Sequence, residues 1–188
     1  KSAWGSRYAT SCPHQLAEWV CDQQGWTLEQ VHFYTGIHEA NRDAFLHYWW
    51  RSKLDYIRST GVRVFTRKLR YTEVERVHRG IQTVEYVPRE KGVDVRMALD
   101  IVRRALDNEY DVAVIFSQDQ DLSEAVDDVR AIAKLQDRRI QLVCAFPEAA
   151  GQRGINKTKW LPIPKSEYDA RLDTTDHAAR ADAQLRRR

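Results

Sequence analysis

One stretch of this 188-residue chain, residues 91–121, constrains its fold more strongly than any other. The stretch carries an acid, Asp94, at the start of an amphipathic helical pattern and continues into an apolar run at residues 112–116. That run leads directly into Asp119 and Asp121. A continuous apolar run of this length is typical of a strand covered on both faces of a parallel sheet. The sequence therefore predicts a helix and then a buried strand that ends on two carboxylates.

Helical and strand-like patterns alternate along most of the chain. Helices are predicted at 13–24, 41–59, 94–106 and 122–135, and strands at 31–37, 62–65, 112–116, 140–146 and 160–163. This alternation predicts an α/β fold with a mostly parallel sheet. Residues 66–89 are charged and extended around Gly80, which predicts a hairpin-like excursion from that sheet. In the helix at 94–106, one apolar face is predicted to contain Val95, Ala98, Leu99, Val102 and Leu106.

Composition excludes several classes of protein. The chain is 43% hydrophobic and 30% charged, as in globular proteins, and has neither a signal-peptide pattern nor an apolar run long enough for a membrane span. Its three cysteines are odd in number and lack CxxC spacing, which favours a reducing compartment, with the cytosol as the default. The six histidines show no zinc-site spacing, and no phosphate-binding glycine motif or GxSxG is present.

The three acids of the central stretch suggest a site for a divalent metal. Ligands of parallel α/β sheets bind beyond the carboxyl ends of the strands, where Asp119 and Asp121 are expected. If Asp94 lies at the same edge, Mg²⁺ or Mn²⁺ would relieve the repulsion among the three carboxylates. Simpler explanations stay open: helix capping for Asp121, an Asx-turn for Asp119 and a favourable helix dipole for Asp94.

Other residues could support such a site. Lys91 could contact a phosphate as a point charge, and Ser117 could orient a carboxylate or a water. A solvated turn lysine explains Lys91 equally well. The predicted hairpin carries basic residues that could hold an RNA backbone: Arg67, Lys68, Arg70, Arg76 and Arg79. Edge hairpins often carry such charges for solubility alone, which is the alternative.

The motifs K-G-V-D-V-x-x-A-x-D and Y-D-V-A-V-x-x-S-x-D-x-D are similar to those of the NYN domain. This family belongs to the PIN-like ribonucleases and includes the LabA-like (DUF88) group. The resemblance implies a PIN-like three-layer α/β/α sandwich and metal-dependent cleavage of single-stranded or structured RNA. It places the family's acids on Asp94, Asp119 and Asp121. It also matches Asp100 to a recurrent acid, although helix geometry puts Asp100 on a different face from Asp94.

The chain departs from the family pattern in two places. Family members begin with a hydrophobic strand that ends in an Asp-G-x-N type motif, and nothing in residues 1–30 resembles it. The chain also begins at Lys1, so we expect this strand to precede it, which leaves an NYN domain at 1–164 and a polar tail at 165–188. In addition, Gln118 stands where a glycine is usual, which predicts a reshaped turn.

The resulting hypothesis is an endoribonuclease that binds Mg²⁺ or Mn²⁺, acts on RNA and has no association with membranes. Its oligomeric state stays open, with a homodimer as one option. The main alternative is a binding module for RNA or protein that keeps the fold without full activity. A small-molecule phosphatase is a third reading, but the sequence contains no motif to anchor its phosphate.

Overall fold

The structure is a computed structural model that describes residues 11–78, 81–149 and 151–187, without the side chains of residues 77, 78 and 81. Its strands are β1 His32–Ile37, β2 Arg63–Lys68, β3 Arg70–His78, β4 Ile81–Arg89, β5 Val112–Ile115, β6 Gln141–Pro147 and β7 Lys159–Ile163. Its α-helices are α1 Pro13–Gln24, α2 Ala44–Ser59, α3 Val93–Leu106, α4 Ser123–Leu135, α5 Lys165–Asp169 and α6 His177–Leu185. The predicted α/β class is confirmed.

The chain forms two compact units. Unit 1 contains the described residues up to Glu29 together with Asp94–Asp173. Unit 2 contains Gln30–Val93 and the described residues from Thr174 onward. No helix within the described residues is long and apolar enough to cross a membrane.

Unit 1 is built on a parallel sheet with the strand order β5-β6-β7. Alternate residues of β6 point to opposite faces of this sheet. Leu142, Cys144 and Phe146 join a core with residues of α3 and α4, whereas Ala145 packs in a second core with Leu16 of α1. Helices therefore cover both faces, as the continuous apolar runs of β5 and β6 predict.

The apolar face of α3 differs in part from the prediction. Met97, Ala98, Ile101, Val102 and Ala105 contribute to the core. Val95, Leu99 and Leu106 are instead 61%, 62% and 53% exposed. The helix carries two adjacent apolar stripes, and periodicity alone does not determine which of them faces the sheet.

Unit 2 contains a parallel pair, β1 and β2, and an antiparallel hairpin, β3 and β4. Leu54 and Ile57 of α2 form a core with Val62, and Phe33 packs against it. Helix α6 packs on α2, where the buried His177 ring shares a hydrogen bond with the Ser52 hydroxyl at 2.8 Å. The polar segment after residue 164 is therefore helical in two places.

The hairpin agrees with the excursion predicted at residues 66–89, except that residues 66–68 belong to the parallel strand β2. Its two strands pair from Arg70 opposite Arg89 to Val77 opposite Gln82 and beyond. The turn predicted at Gly80 lies outside the described residues. A tight contact fixes the base of the hairpin, because the Gly36 N–H of β1 donates to the Glu90 carboxylate at 2.6 Å.

Candidate functional site

The loop that follows β5 carries two of the predicted acids. The Ser117 hydroxyl accepts a hydrogen bond from the Asp119 N–H at 3.2 Å. Asp119 Oδ1 in turn accepts from the Asp121 N–H at 3.0 Å and caps a short 3₁₀ helix, Gln120–Leu122. The capping role that the sequence left open for Asp121 therefore belongs to Asp119. These bonds fix the turn. They do not involve Oδ2 of Asp119 or either carboxylate oxygen of Asp121.

The carboxylates of Asp94 and Asp121 are exposed. Neither accepts a hydrogen bond or forms an ion pair with another described residue. Burial of a charge requires a partner, whereas an exposed and unpaired carboxylate stays solvated and available. Both side chains can therefore take a cation without breaking an existing protein contact.

Contacts at the far end of α3 locate Asp94 relative to the sheet. The Arg138 guanidinium donates to the Ala105 carbonyl at 2.8 Å and to the Tyr110 carbonyl at 2.9 Å. The C-terminal end of α3 therefore lies at the amino end of β5. Asp94 is separated from Ala105 by about 16 Å of helix that packs along the sheet. Asp94 accordingly lies toward the carboxyl edge, where Asp119 and Asp121 follow β5.

The three acids do not form a closed metal cage. Within residues 11–78, 81–149 and 151–187, no three His, Cys, Asp or Glu side chains lie close enough to enclose an ion. The donors are nevertheless of the right kind, since hard divalent cations take carboxylate oxygens. Mg²⁺ commonly uses one or two carboxylates together with waters and substrate phosphates. The residues present thus fit a partly open site, completed by water and substrate.

Asp100 already has a cationic partner. It is nearly buried, and its two carboxylate oxygens lie 3.0 Å from Nε and Nη2 of Arg96. This is the two-point geometry that a guanidinium and a carboxylate favour. The pair neutralises Asp100 on α3, so its contacts are those of a structural residue.

Sequence reasoning missed the role of two glutamines that alternate with the acids. The Gln118 amide donates to the Arg153 carbonyl at 2.9 Å. The Gln120 amide donates to the Gly154 carbonyl at 3.1 Å, and its oxygen accepts from the Asn156 N–H at 3.2 Å. The only sequence signal for this role was Gln118, which stands where the family motif usually has a glycine. Together the two side chains attach the β5 loop to residues 151–156.

A pocket of about 490 Å³ lies between these two loops. We call it the amide pocket; it is lined by Gln118, Gln120, Gly151, Gln152, Arg153, Gly154 and Asn156. Trp160 supports the back of the pocket, since its indole donates to the Ile155 carbonyl at 2.8 Å and lies against Gly154. A Cβ at Gly154 would be only 2.6 Å from that ring.

Cys144 lies beneath the same loop but is not a nucleophile. Its thiol is buried and donates to the Ser117 carbonyl at 2.9 Å. Burial raises the pKa of this thiol above its usual value. A thiol held in the neutral form is unreactive, so Cys144 supports the turn by packing and by its hydrogen bond.

In unit 2, the four predicted RNA-binding residues that the structure describes are exposed but differ in their contacts. Lys68 pairs with Glu39 at 3.2 Å, and Arg76 pairs with Glu85 at 2.6 Å. Arg70 has no ion pair among the described residues. Exposed ion pairs are weak, so both paired cations can exchange their partner for a phosphate.

The other basic residues vary in how much the structure says of them. The Arg67 guanidinium lies against Gly92, where φ is +76° and an added Cβ would be 2.7 Å from Nη1. Lys91 is exposed and, within the described residues, has no ion pair. Arg79 lies outside the described residues.

Comparison with known proteins identifies the family of the chain and agrees with its fold. The profile of the NYN domain matches residues 17–148, well over half of the chain, and includes all three acids. No curated protein and no solved structure has significant similarity to the sequence. NYN domains are PIN-like and of nuclease type, and such nucleases generally require divalent metals. The chain belongs to the NYN domain family.

Proposed function

We propose that this protein is an endoribonuclease in which Asp94, Asp119 and Asp121 hold Mg²⁺ or Mn²⁺. One observation carries the proposal: the loop after β5 presents Asp119 and Asp121 at the sheet edge toward which Asp94 also lies, and two of the three carboxylates have no partner in the described residues. The motif in residues 91–121 is the reason that we assign the chain to the LabA-like group of its family.

The chemistry divides between the ion and the chain. A bound divalent ion lowers the pKa of a water and neutralises charge on a phosphodiester. Asp119 is oriented by the Asp121 N–H, which leaves its second oxygen for the ion. The Ser117 hydroxyl is occupied by the Asp119 N–H, so Ser117 positions the turn. Lys91, three residues before Asp94, is an exposed cation that we assign to a substrate phosphate.

The β3–β4 hairpin supports RNA as the substrate through the arrangement of its charges. Alternate residues of a strand point to opposite faces, so Arg70 and Arg76 share one face, whereas Glu73 and Glu75 share the other. Arg89 lies directly opposite Arg70 and therefore adds to this face, which also carries Glu85, the partner of Arg76. Like charges in opposing positions destabilise a hairpin. A phosphate backbone bound to this face would remove that repulsion.

A cleavage assay tests the catalytic site. We expect the protein to cleave single-stranded or structured RNA with Mg²⁺ or Mn²⁺ and to lose the activity in EDTA. The Asp119→Asn change retains an oxygen for the Asp121 N–H. It should lower the rate by about 100-fold, since even outer-shell partners of metals contribute about 10- to 100-fold. Asp94→Asn and Asp121→Asn should also reduce activity.

Asp128→Asn provides a matched control, because Asp128 is an exposed and unpaired acid on α4. It should cleave at the wild-type rate. Equal activity in Asp119→Asn and Asp128→Asn would contradict the proposed site. Binding of RNA without cleavage by the wild-type protein in Mg²⁺ or Mn²⁺ would reject the nuclease and favour a non-catalytic module.

A further inference from the structure

The amide pocket contains polar groups that have no role in holding the fold. The side chains of Gln152, Arg153 and Asn156 form no hydrogen bond or ion pair with other described residues. All three are exposed at the pocket. Their carboxamides and guanidinium can donate four or more hydrogen bonds, and the two carboxamides can also accept.

The backbone of the same loop is firmly held. The carbonyls of Arg153 and Gly154 accept from Gln118 and Gln120, and the Asn156 N–H donates to Gln120. The next carbonyl, that of Ile155, accepts from the indole of β7. Because these contacts all use backbone atoms of the loop, its free side chains extend from a fixed frame. Preorganisation of this kind lowers the entropy lost on binding.

The pocket adjoins the candidate metal site through the chain itself. Gln118 and Gln120 line the pocket, and Asp119 lies between them, one Cα–Cα step of about 3.8 Å from each. Asp119 and Asp121 do not line the pocket, so a ligand there would lie beside the loop that carries the carboxylates we assign to the metal. The lining contains one cation, Arg153, and no acid, so it suits a ligand that carries hydrogen-bond acceptors.

We propose that the amide pocket binds a purine base of the RNA, at the nucleotide beside the phosphate that is cleaved. The proposal rests on the proposed nuclease function. Carboxamides pair with the N6 and N7 edge of adenine, and guanidinium pairs with O6 and N7 of guanine. Pyrimidines lack N7 and therefore cannot present this pair of atoms. A volume of about 490 Å³ is in the range of small-ligand sites and leaves room for the base and its sugar.

The experiment uses oligouridylate RNAs that carry a single A, G or C at one position. Cleavage positions are mapped in Mg²⁺ or Mn²⁺, and binding is measured separately in EDTA by fluorescence anisotropy. We expect the wild-type protein to cut beside the purine and to favour it over C by about tenfold or more, as a two-point base contact provides. Arg153→Ala and Asn156→Ala should each reduce this preference, since both leave the backbone contacts of the loop intact.

Arg139→Ala is the matched control. Arg139 is exposed, unpaired among the described residues and located before β6, at the opposite end of the sheet. It should retain the purine preference. If Arg153→Ala instead weakens binding equally for all three RNAs, the residue contacts phosphate and the purine proposal is wrong.

The two proposals fail in different ways. Cleavage with no preference for a purine, in the wild-type protein, would reject the pocket and leave the nuclease standing. Absence of cleavage, together with tighter binding of purine-containing RNA that Arg153→Ala abolishes, would reject the nuclease and leave the pocket standing.

Discussion

Replacement of Arg138 by alanine should destabilise unit 1 strongly. The side chain is only 19% exposed, and its guanidinium donates to the Tyr110 and Ala105 carbonyls and, through Nε, to the Gln136 side chain at 2.8 Å. These contacts join the end of α3 to the start of β5. A hydrogen bond from a charged group contributes about 1.5–3 kcal/mol net.

The two backbone contacts set the size of the effect. Without Arg138, the Ala105 carbonyl would still accept a longer hydrogen bond from the Asn108 N–H at 3.3 Å, so it would lose only part of its hydrogen bonding. The ion pair with Asp111 spans 3.5 Å, and that carboxylate is 91% exposed, so it adds little. We therefore expect Arg138→Ala to lower the free energy of unfolding by about 2–4 kcal/mol. The stability of Arg138→Lys should lie between those of the wild type and Arg138→Ala, because an ammonium lacks the planar fork that reaches both carbonyls.

Urea unfolding followed by circular dichroism measures the difference, as a lower midpoint at an unchanged slope. Arg139→Ala removes an equal charge from the next residue, which is exposed and unpaired among the described residues, and should change stability by less than about 0.5 kcal/mol. If the two alanine variants unfold at the same urea concentration, the contacts of Arg138 do not stabilise the unit and the reasoning is refuted.

Three further predictions concern stability. Gly154→Ala should lower the free energy of unfolding by about 1–3 kcal/mol, because its Cβ would displace the Trp160 ring. In a double-mutant cycle, the same change should have no effect when Trp160 is already alanine. Asp137→Gly should raise the free energy of unfolding by up to about 1 kcal/mol, since Asp137 follows the C-cap of α4 and has a φ of 47°, which glycine adopts more easily. Thermal unfolding measures the change, and equal or lower stability would contradict the prediction. Burial raises the pKa of Tyr110 and that of Tyr168 to about 12, whereas unfolded tyrosine titrates near 10. The folded state thus holds the phenol protons more tightly, so the free energy of unfolding should fall as the pH rises from about 10 to 12. The fall should be smaller in the variant that carries both Tyr110→Phe and Tyr168→Phe.

The main elements could be predicted from sequence because their signals are local. The run at 112–116 became β5, Val112–Ile115, and the run at 140–146 became β6, Gln141–Pro147. Helix boundaries were less accurate. The helix predicted from residue 41 begins at Ala44, because the Asp43 side chain accepts from the Leu46 N–H and caps the helix there.

The final helix shows where local patterns carry too little information. Helix α6 buries only His177 and Ala181, so it has no apolar stripe that periodicity could detect. Its place on α2 depends on ring contacts of His177 with Trp49 and Tyr56, more than 100 positions earlier in the chain. Such long-range packing decides between helix and disorder in a polar segment.

The candidate site divides along the same line. Its proposed acids, Asp94, Asp119 and Asp121, could be selected from the sequence, because they occupy fixed positions in a motif relative to a predicted helix and strand. The pocket beside them could not, because Gln118 and Gln120 bind backbone atoms of residues 153–156. A backbone carbonyl or N–H is the same for almost every residue type, so the partner segment carries no matching sequence signal.

The alternation of glutamine and aspartate after β5 explains how one short loop can serve two purposes. Glycine at position 118 would have no side chain to reach the Arg153 carbonyl, whereas glutamine makes this bond at 2.9 Å. Asp119 instead turns its carboxylate back on its own loop, where the Asp121 N–H fixes it. The glutamines thus hold residues 151–156 in place while the acids stay available to a cation. A departure from the usual family motif is therefore the feature that joins the proposed base pocket to the proposed metal site.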